Sequence, residues 1–208
     1  MSVIKWMALI AITAVYQTAF SQIGLSINGG FGKAQGYAST FSKGIGVNLE
    51  QRLGEKVRFV VIPELNSRGY SGNLGVSTVK ANYLDIPVQF QFDLAESSSP
   101  VYLGLGGYYG LALSGKYKSN LSGSAESDWQ KMTFGEGADN NRSKTDYGLI
   151  IDIGGRFPTY SHYFKVGIQT MYGLKNVVPR EVQDESSENH KRLMNFSLYV
   201  TYCFGDDD

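Results

Sequence analysis

The residue types nearest to a catalytic set are in one stretch, where His190 follows Ser186, Ser187 and Glu188. Serine, histidine and a carboxylate are the parts of a nucleophile, its base and the group that orients the base. Such a triad is defined by geometry, and adjacency in sequence does not supply it. A solvated loop rich in Ser, Glu and Lys has the same composition, and the second histidine, His162, falls in a short turn expected at the other end of the molecule. The chain is therefore read as non-enzymatic. Metal chemistry finds no better support. Asp139-Asn140-Asn141 lacks the rest of a calcium-loop pattern, Asp206 to Asp208 form an acidic tail, and the single cysteine, Cys203, permits neither an internal disulfide nor a cysteine-ligated zinc. Gly104-Leu105-Gly106-Gly107 is not a dinucleotide fingerprint, because it lies within an expected strand rather than at a strand-to-helix turn. No cofactor is expected.

Charge is more informative where it alternates with apolar residues. The formal net charge is zero, and loss of Lys5 with the first 21 residues leaves 18 basic against 19 acidic side chains, so there is no basic field for nucleic acid. Glu50, Arg58, Glu64, Asp85, Asp152, Arg156 and Lys165 each occupy the polar parity of an alternating segment. If those segments close into a small barrel, the seven side chains point into a confined lumen, where unpaired charge costs several kcal/mol. They are expected to pair with one another and plug the barrel. Glu50 and Arg58, flanking the expected turn at 54–56, are expected to pair across one hairpin.

The elements that position these charges are legible by parity. With 25 Gly, 14 Tyr and 11 Phe against five Pro, the composition favours strands and turns. Ile23, Leu25, Ile27 and Phe31 lie on one face of the first segment. Ile45, Val47, Leu49 and Leu53 do so in the second, and Phe59, Val61 and Leu65 in the third. The fourth is the clearest, with Leu84, Ile86, Val88, Phe90, Phe92 and Leu94 opposing Tyr83, Asp85, Gln89, Gln91 and Asp93. Segments around 101–113, 148–157, 164–174 and 195–204 repeat the pattern. Eight strands of about nine to eleven residues suit a bilayer crossing. Connections alternate between long (33–43, 68–78, 114–146, 175–193) and short (54–56, 95–100, 158–162). That asymmetry belongs to outer-membrane barrels, with short periplasmic turns and longer extracellular loops. The expected fold is all-β, an eight-stranded antiparallel up-and-down transmembrane barrel. Pro63 and Pro87, each unable to donate to a ladder, are expected at a bulge or gap.

The N-terminus carries Lys5, an apolar run from Trp6 to Val15, and Ala19-Phe20-Ser21. This is the layout of a secretory signal peptide cut after Ser21, leaving a single domain at 22–208. Mean hydropathy is −0.18, and the alternation, rather than any long apolar run, carries the membrane reading.

Several segments together resemble the outer-membrane β-barrel family common in Bacteroidetes and often labelled PorT-like. They are Asn82-Tyr-Leu-Asp-Ile-Pro-Val-Gln-Phe, the glycine- and tyrosine-rich 102–113, Asp146-Tyr-Gly-Leu, Tyr172-Gly-Leu-Lys-Asn-Val and the closing 198–204. The resemblance implies an eight-stranded barrel in a Gram-negative outer membrane, and one family member's association with secretion. Such barrels usually finish near an aromatic residue, whereas here Gly205 to Asp208 follow Phe204.

The functional expectation is a non-enzymatic structural or interaction protein in the outer membrane, contacting outer-membrane lipid or glycolipid and a protein partner through its extracellular loops. Trp129, Met132 and Phe134, in a loop whose five basic and five acidic residues balance, are the candidate contact residues. A narrow channel or secretion component is the alternative, and a lipid-modifying enzyme is a third reading.

Overall fold

Period-2 alternation requires each strand to bury one face and expose the other, and the computed structural model shows where each face goes. It describes residues 22–71, 78–94, 100–118, 129–135, 137, 142–177 and 192–204. The signal-like residues 1–21, the serine-rich run with His190, Asp139 to Asn141 and the acidic tail lie outside the described residues.

The strands are β1 (Gln22–Ala34), β2 (Ala38–Arg52), β3 (Val57–Val61), β4 (Glu64–Ser71), β5 (Thr78–Asp93), β6 (Val101–Lys118), β7 (Gln130–Lys131), β8 (Thr145–Pro158), β9 (His162–Gly173) and β10 (Leu193–Phe204). β3 and β4 are successive pieces of one stave, since both pair with β2 and with β5. β7 is a two-residue addition to the edge of β6. Eight antiparallel staves remain, and pairing of β1 with β10 closes them into a ring. Closure removes the unpaired edges that an open sheet would present.

Register puts the apolar set outside. Ile27, Ile45, Leu65, Leu105, Ile151 and Val200 are exposed on the outer wall, while Glu50, Asp85, Gln89, Arg156 and Lys165 are buried within. Toward the short-turn end the outer wall carries a girdle of ring contacts, with Phe59 on Phe90 at 5.5 Å and Phe164 on Tyr202 at 5.0 Å. At the other end Phe31 meets Phe41 edge-on at 6.4 Å. Aromatic girdles of this kind mark the two membrane–water boundaries.

Three expected connections differ from the structure. The long loop expected at 33–43 is a tight turn at 35–37, in which Tyr37 N–H donates to Ala34 C=O and Gly36 adopts φ +79°. A left-handed residue at that point suits glycine, and it lets β1 and β2 continue as strands beyond the apolar band. The loop expected at 68–78 loses residues 68–71 to β4 and Thr78 to β5, and the loop expected at 114–146 is shortened at both ends by β6 and β8.

Pro63 marks a gap rather than a bulge, because the register of β3 and β4 against β2 is the same on either side of Ile62–Pro63. Pro87 stays within β5 opposite Tyr108, its carbonyl accepting from the Ile62 N–H. The register shifts fall nearer the long-loop end, between Ser39 and Lys43 on β2 and between Asn82 and Tyr83 on β5, where Leu113 is the extra residue on β6.

Candidate functional site

An eight-stranded barrel has an interior just wide enough for side chains to fill, and here polar side chains fill it in layers. Nearest the short turns, Arg58 Nη1 donates to Asp93 Oδ2 at 2.9 Å, and Arg156 forms an ion pair with the other oxygen of Asp93. Gln91 links the layer, with its Oε1 accepting from Arg156 Nη2 at 2.8 Å and Lys165 Nζ at 3.2 Å and its Nε2 donating to Asp152 at 3.2 Å. Lys165 pairs with Glu50, whose second oxygen lies 2.8 Å from the Tyr163 hydroxyl. Three cations and three carboxylates share this layer, with Asp152 joined through Gln91 rather than to a cation, so burial leaves little net charge here.

The next layer is phenolic. Tyr102, Gly154, Gly167 and Tyr199 face one another across four neighbouring strands. The two tyrosine hydroxyls meet over the two glycines, and the Tyr199 hydroxyl also donates to Asp152 Oδ1 at 2.8 Å. A β-carbon at Gly154 would stand 2.5 Å from the Tyr102 oxygen, and one at Gly167 would stand 2.6 Å from that of Tyr199. The glycines are what admit the rings.

Above it, Arg68 bridges Asp85 at 2.6 Å and Asp146 at 3.3 Å, with its guanidinium 4.4 Å from the Tyr83 ring. Tyr108 donates to Asp146 at 2.9 Å. Glu64 is bonded to the amides of Asn28 and Asn66, at 2.9 and 2.8 Å, rather than to a cation. The mouth is closed by an apolar cluster including Ala34, Tyr70, Val79, Ala112, Met132, Val177 and Leu193, with Tyr37, Tyr117 and Phe134 packed against it.

The structure places all seven sequence-derived charges inside, but with different partners from those expected. Glu50 lies opposite Val60, and Arg58 lies opposite Arg52. The expected Glu50–Arg58 pair is therefore replaced by Glu50–Lys165 and Arg58–Asp93. Arg68 and Asp146 were assigned to loops by sequence and prove to be central members of the network. Their signal was present as a continuation of strand parity beyond the apolar residues.

Among the candidate contact residues, Met132 is 5% exposed and Phe134 packs against the cap, so neither is an exposed handle. Trp129, 41% exposed, stays outside, with Lys116 Nζ 4.8 Å and Lys80 Nζ 5.6 Å from its ring. The charge balance read for this loop is also redistributed. Arg142 is buried against the Tyr70 ring at 5.3 Å and Asp146 joins the lumen, whereas Lys116 and Lys131 remain outside. Glu126, Asp128, Glu136 and Asp139 lie outside the described residues.

A closed antiparallel ring with an apolar outer wall and a polar, packed lumen is membrane-barrel architecture. The family profile of the outer membrane protein beta-barrel domain matches residues 19–178. The chain belongs to that family. This outer-membrane β-barrel is similar in structure to Ail, the attachment invasion locus protein of Yersinia pestis, at 14% identity and a TM-score of 0.46 over 88% of this chain and 97% of that one. It is also similar to Neisserial surface protein A, at 18% identity and a TM-score of 0.47 over 86% and 94%. A third similar structure is OprG from Pseudomonas aeruginosa, at 12% and 0.44 over 88% and 96%. A comparison with curated proteins returns no match.

Proposed function

We propose that this protein is a non-enzymatic outer-membrane anchor, a non-conducting barrel that holds an interaction surface at the extracellular end. The observation that carries this reading is the lumen itself. From Arg58 through Asp93, Arg156, Gln91 and Lys165 to Glu50, side chains of β2, β3, β5, β8 and β9 lie within hydrogen-bond reach of one another inside the lumen, and all six are buried or nearly so. An ion entering would have to break several charge-assisted bonds in a low-dielectric interior, which opposes conduction. Export by cleavage of residues 1–21 and membership of the PorT-like branch belong to the same proposal, supported by the N-terminal pattern and by the Asn82 to Phe90 segment.

Planar-bilayer recording of the refolded chain tests it. The expected result is no unitary conductance for the wild type, with openings appearing only when Arg156 and Lys165 are truncated together. Steady conductance by the wild type would reverse the reading in favour of a narrow channel.

A further inference from the structure

Lys80 on β5 lies directly across from Lys116 on β6, and Lys116 directly across from Lys131 on β7. Like charges directly opposite one another in a sheet are destabilising, yet three lysines stand side by side on the outer wall. The Trp129 ring holds two of their ammonium groups close by. Among the described residues no carboxylate faces this row. Glu50, Glu64, Asp85, Asp93, Asp146 and Asp152 line the lumen, and Glu55 is in a turn at the opposite end.

Immediately below, the outward row that reads Ile45, Leu65, Leu84 and Leu111 in the apolar band is followed by Lys43, Ser67, Asn82 and Ser114. Asn82 donates to Ser114 at 3.0 Å. These residues line a crevice of about 480 Å³ whose apolar side is Ile45, Leu65 and Leu113. The register shifts at Ser39/Lys43 and at Leu113 flank it, and bulges re-aim side chains at such points. Trp and Lys at the edge of an apolar band sit at headgroup level in a bilayer.

We propose that this face binds a phosphorylated glycolipid of the outer leaflet, with Lys80, Lys116 and Lys131 on its phosphate, Trp129, Asn82 and Ser114 on its sugar, and Ile45, Leu65 and Leu113 against its acyl chains. The inference rests on the anchor reading and names the partner of that surface. A phosphate placed between the lysines offsets the mutual repulsion of three like charges side by side. The neighbouring amide, hydroxyl and indole match a sugar better than they match a hydrocarbon tail. The lysine row is continuous with the crevice, so one amphiphile can occupy both.

The test uses the refolded full chain in phosphatidylcholine nanodiscs carrying a small fraction of a bis-phosphorylated, acylated glucosamine disaccharide, with lipid retention read by native mass spectrometry. The variant K80Q/K116Q/K131Q is expected to lose roughly a hundredfold in retention, from the attraction of three lysines for an anionic headgroup. Trp129→Ala is expected to lose less. The control K33Q/K144Q, on exposed lysines elsewhere toward the same end, is expected to keep wild-type retention, and heat-modified migration on gels verifies that every variant is folded. Equal retention of the dephosphorylated glycolipid, an unchanged triple variant, or an equal loss in the control would each overturn the proposal. So would displacement of the glycolipid by an acidic peptide that binds the wild type more tightly. Conductance recorded on the same preparations keeps the two readings separate. A conducting barrel with selective lipid retention overturns only the anchor reading, and a silent barrel without selectivity overturns only this one.

Discussion

Glu50 is bonded to Lys165, 115 positions away in sequence, and not to Arg58, eight positions away by number, because the β2–β3 register sets Val60 across from it. Side chains on one face of a narrow barrel meet across the lumen as readily as along a hairpin, so sequence proximity is a weak guide to ion pairing. The consequence is measurable. Glu50→Ala leaves the Lys165 ammonium buried without its carboxylate and is expected to lose about 3–5 kcal/mol, whereas Glu50→Leu combined with Lys165→Met should restore most of that loss. Urea unfolding in detergent micelles, followed by tryptophan fluorescence and heat-modified migration, measures both. In the same assay the Glu50→Ala, Arg58→Ala cycle should show only a small coupling, since the two residues do not touch and are joined only through Asp93, Arg156, Gln91 and Lys165.

Strands are the scale at which tyrosine and glycine acquire a joint role. β8 and β9 contribute Gly154 and Gly167 as a facing pair, and the flanking β6 and β10 contribute Tyr102 and Tyr199, which close over them. The small and phenolic polar face of these strands is thus a packing device that fills the lumen between two charged layers. Gly154→Val forces the Tyr102 phenol aside and presses on the Val166 carbonyl, 2.9 Å from the added β-carbon. Overpacking of this kind costs about 1–3 kcal/mol. Combining it with Tyr102→Leu should recover part of the loss, because the crowded side-chain atoms are those of the phenol. Thermal shift of the folded gel band, compared across the two single variants and the double, measures the recovery. Losses that add in full would place the strain in the backbone instead.

For the molecule as a whole, ring closure separates three environments: an apolar outer wall, a charged and phenolic lumen, and an apolar cap at the long-loop end. The cap and the charged layers sit at different depths, so they are expected to fail independently. Met132→Ala removes a buried side chain from the cap and is expected to destabilise by about 2 kcal/mol or more. It should hasten protease cutting within 119–144 on intact cells, while bilayer conductance stays at baseline, because the Arg156 and Lys165 layer below is untouched. Openings produced by Met132→Ala alone would mean that the cap, not the charged layer, seals the barrel.

Period-2 alternation by itself determined the class of fold, the strand count and the face taken by the charged residues within the apolar band. The reason is that a side chain in a strand has only two directions, and an apolar outer wall leaves the other direction for Glu50, Asp85, Arg156 and Lys165. Tertiary structure alone decided the partners. Pairing depends on stagger between strands and on which residues meet across the lumen, and neither is encoded in parity. The same limit applies at the rim. Beyond the apolar band the outward residues turn mostly polar, so strand parity continues without the apolar partner that marks a strand, and Arg68, Asp146 and Lys116 read as loop although the strands run through them. Met132 and Phe134 were legible as an apolar handle, but whether a loop folds inward over the lumen or outward to a partner is a matter of chain path. The Lys80, Lys116 and Lys131 row exists only because β5, β6 and β7 are neighbours in that register.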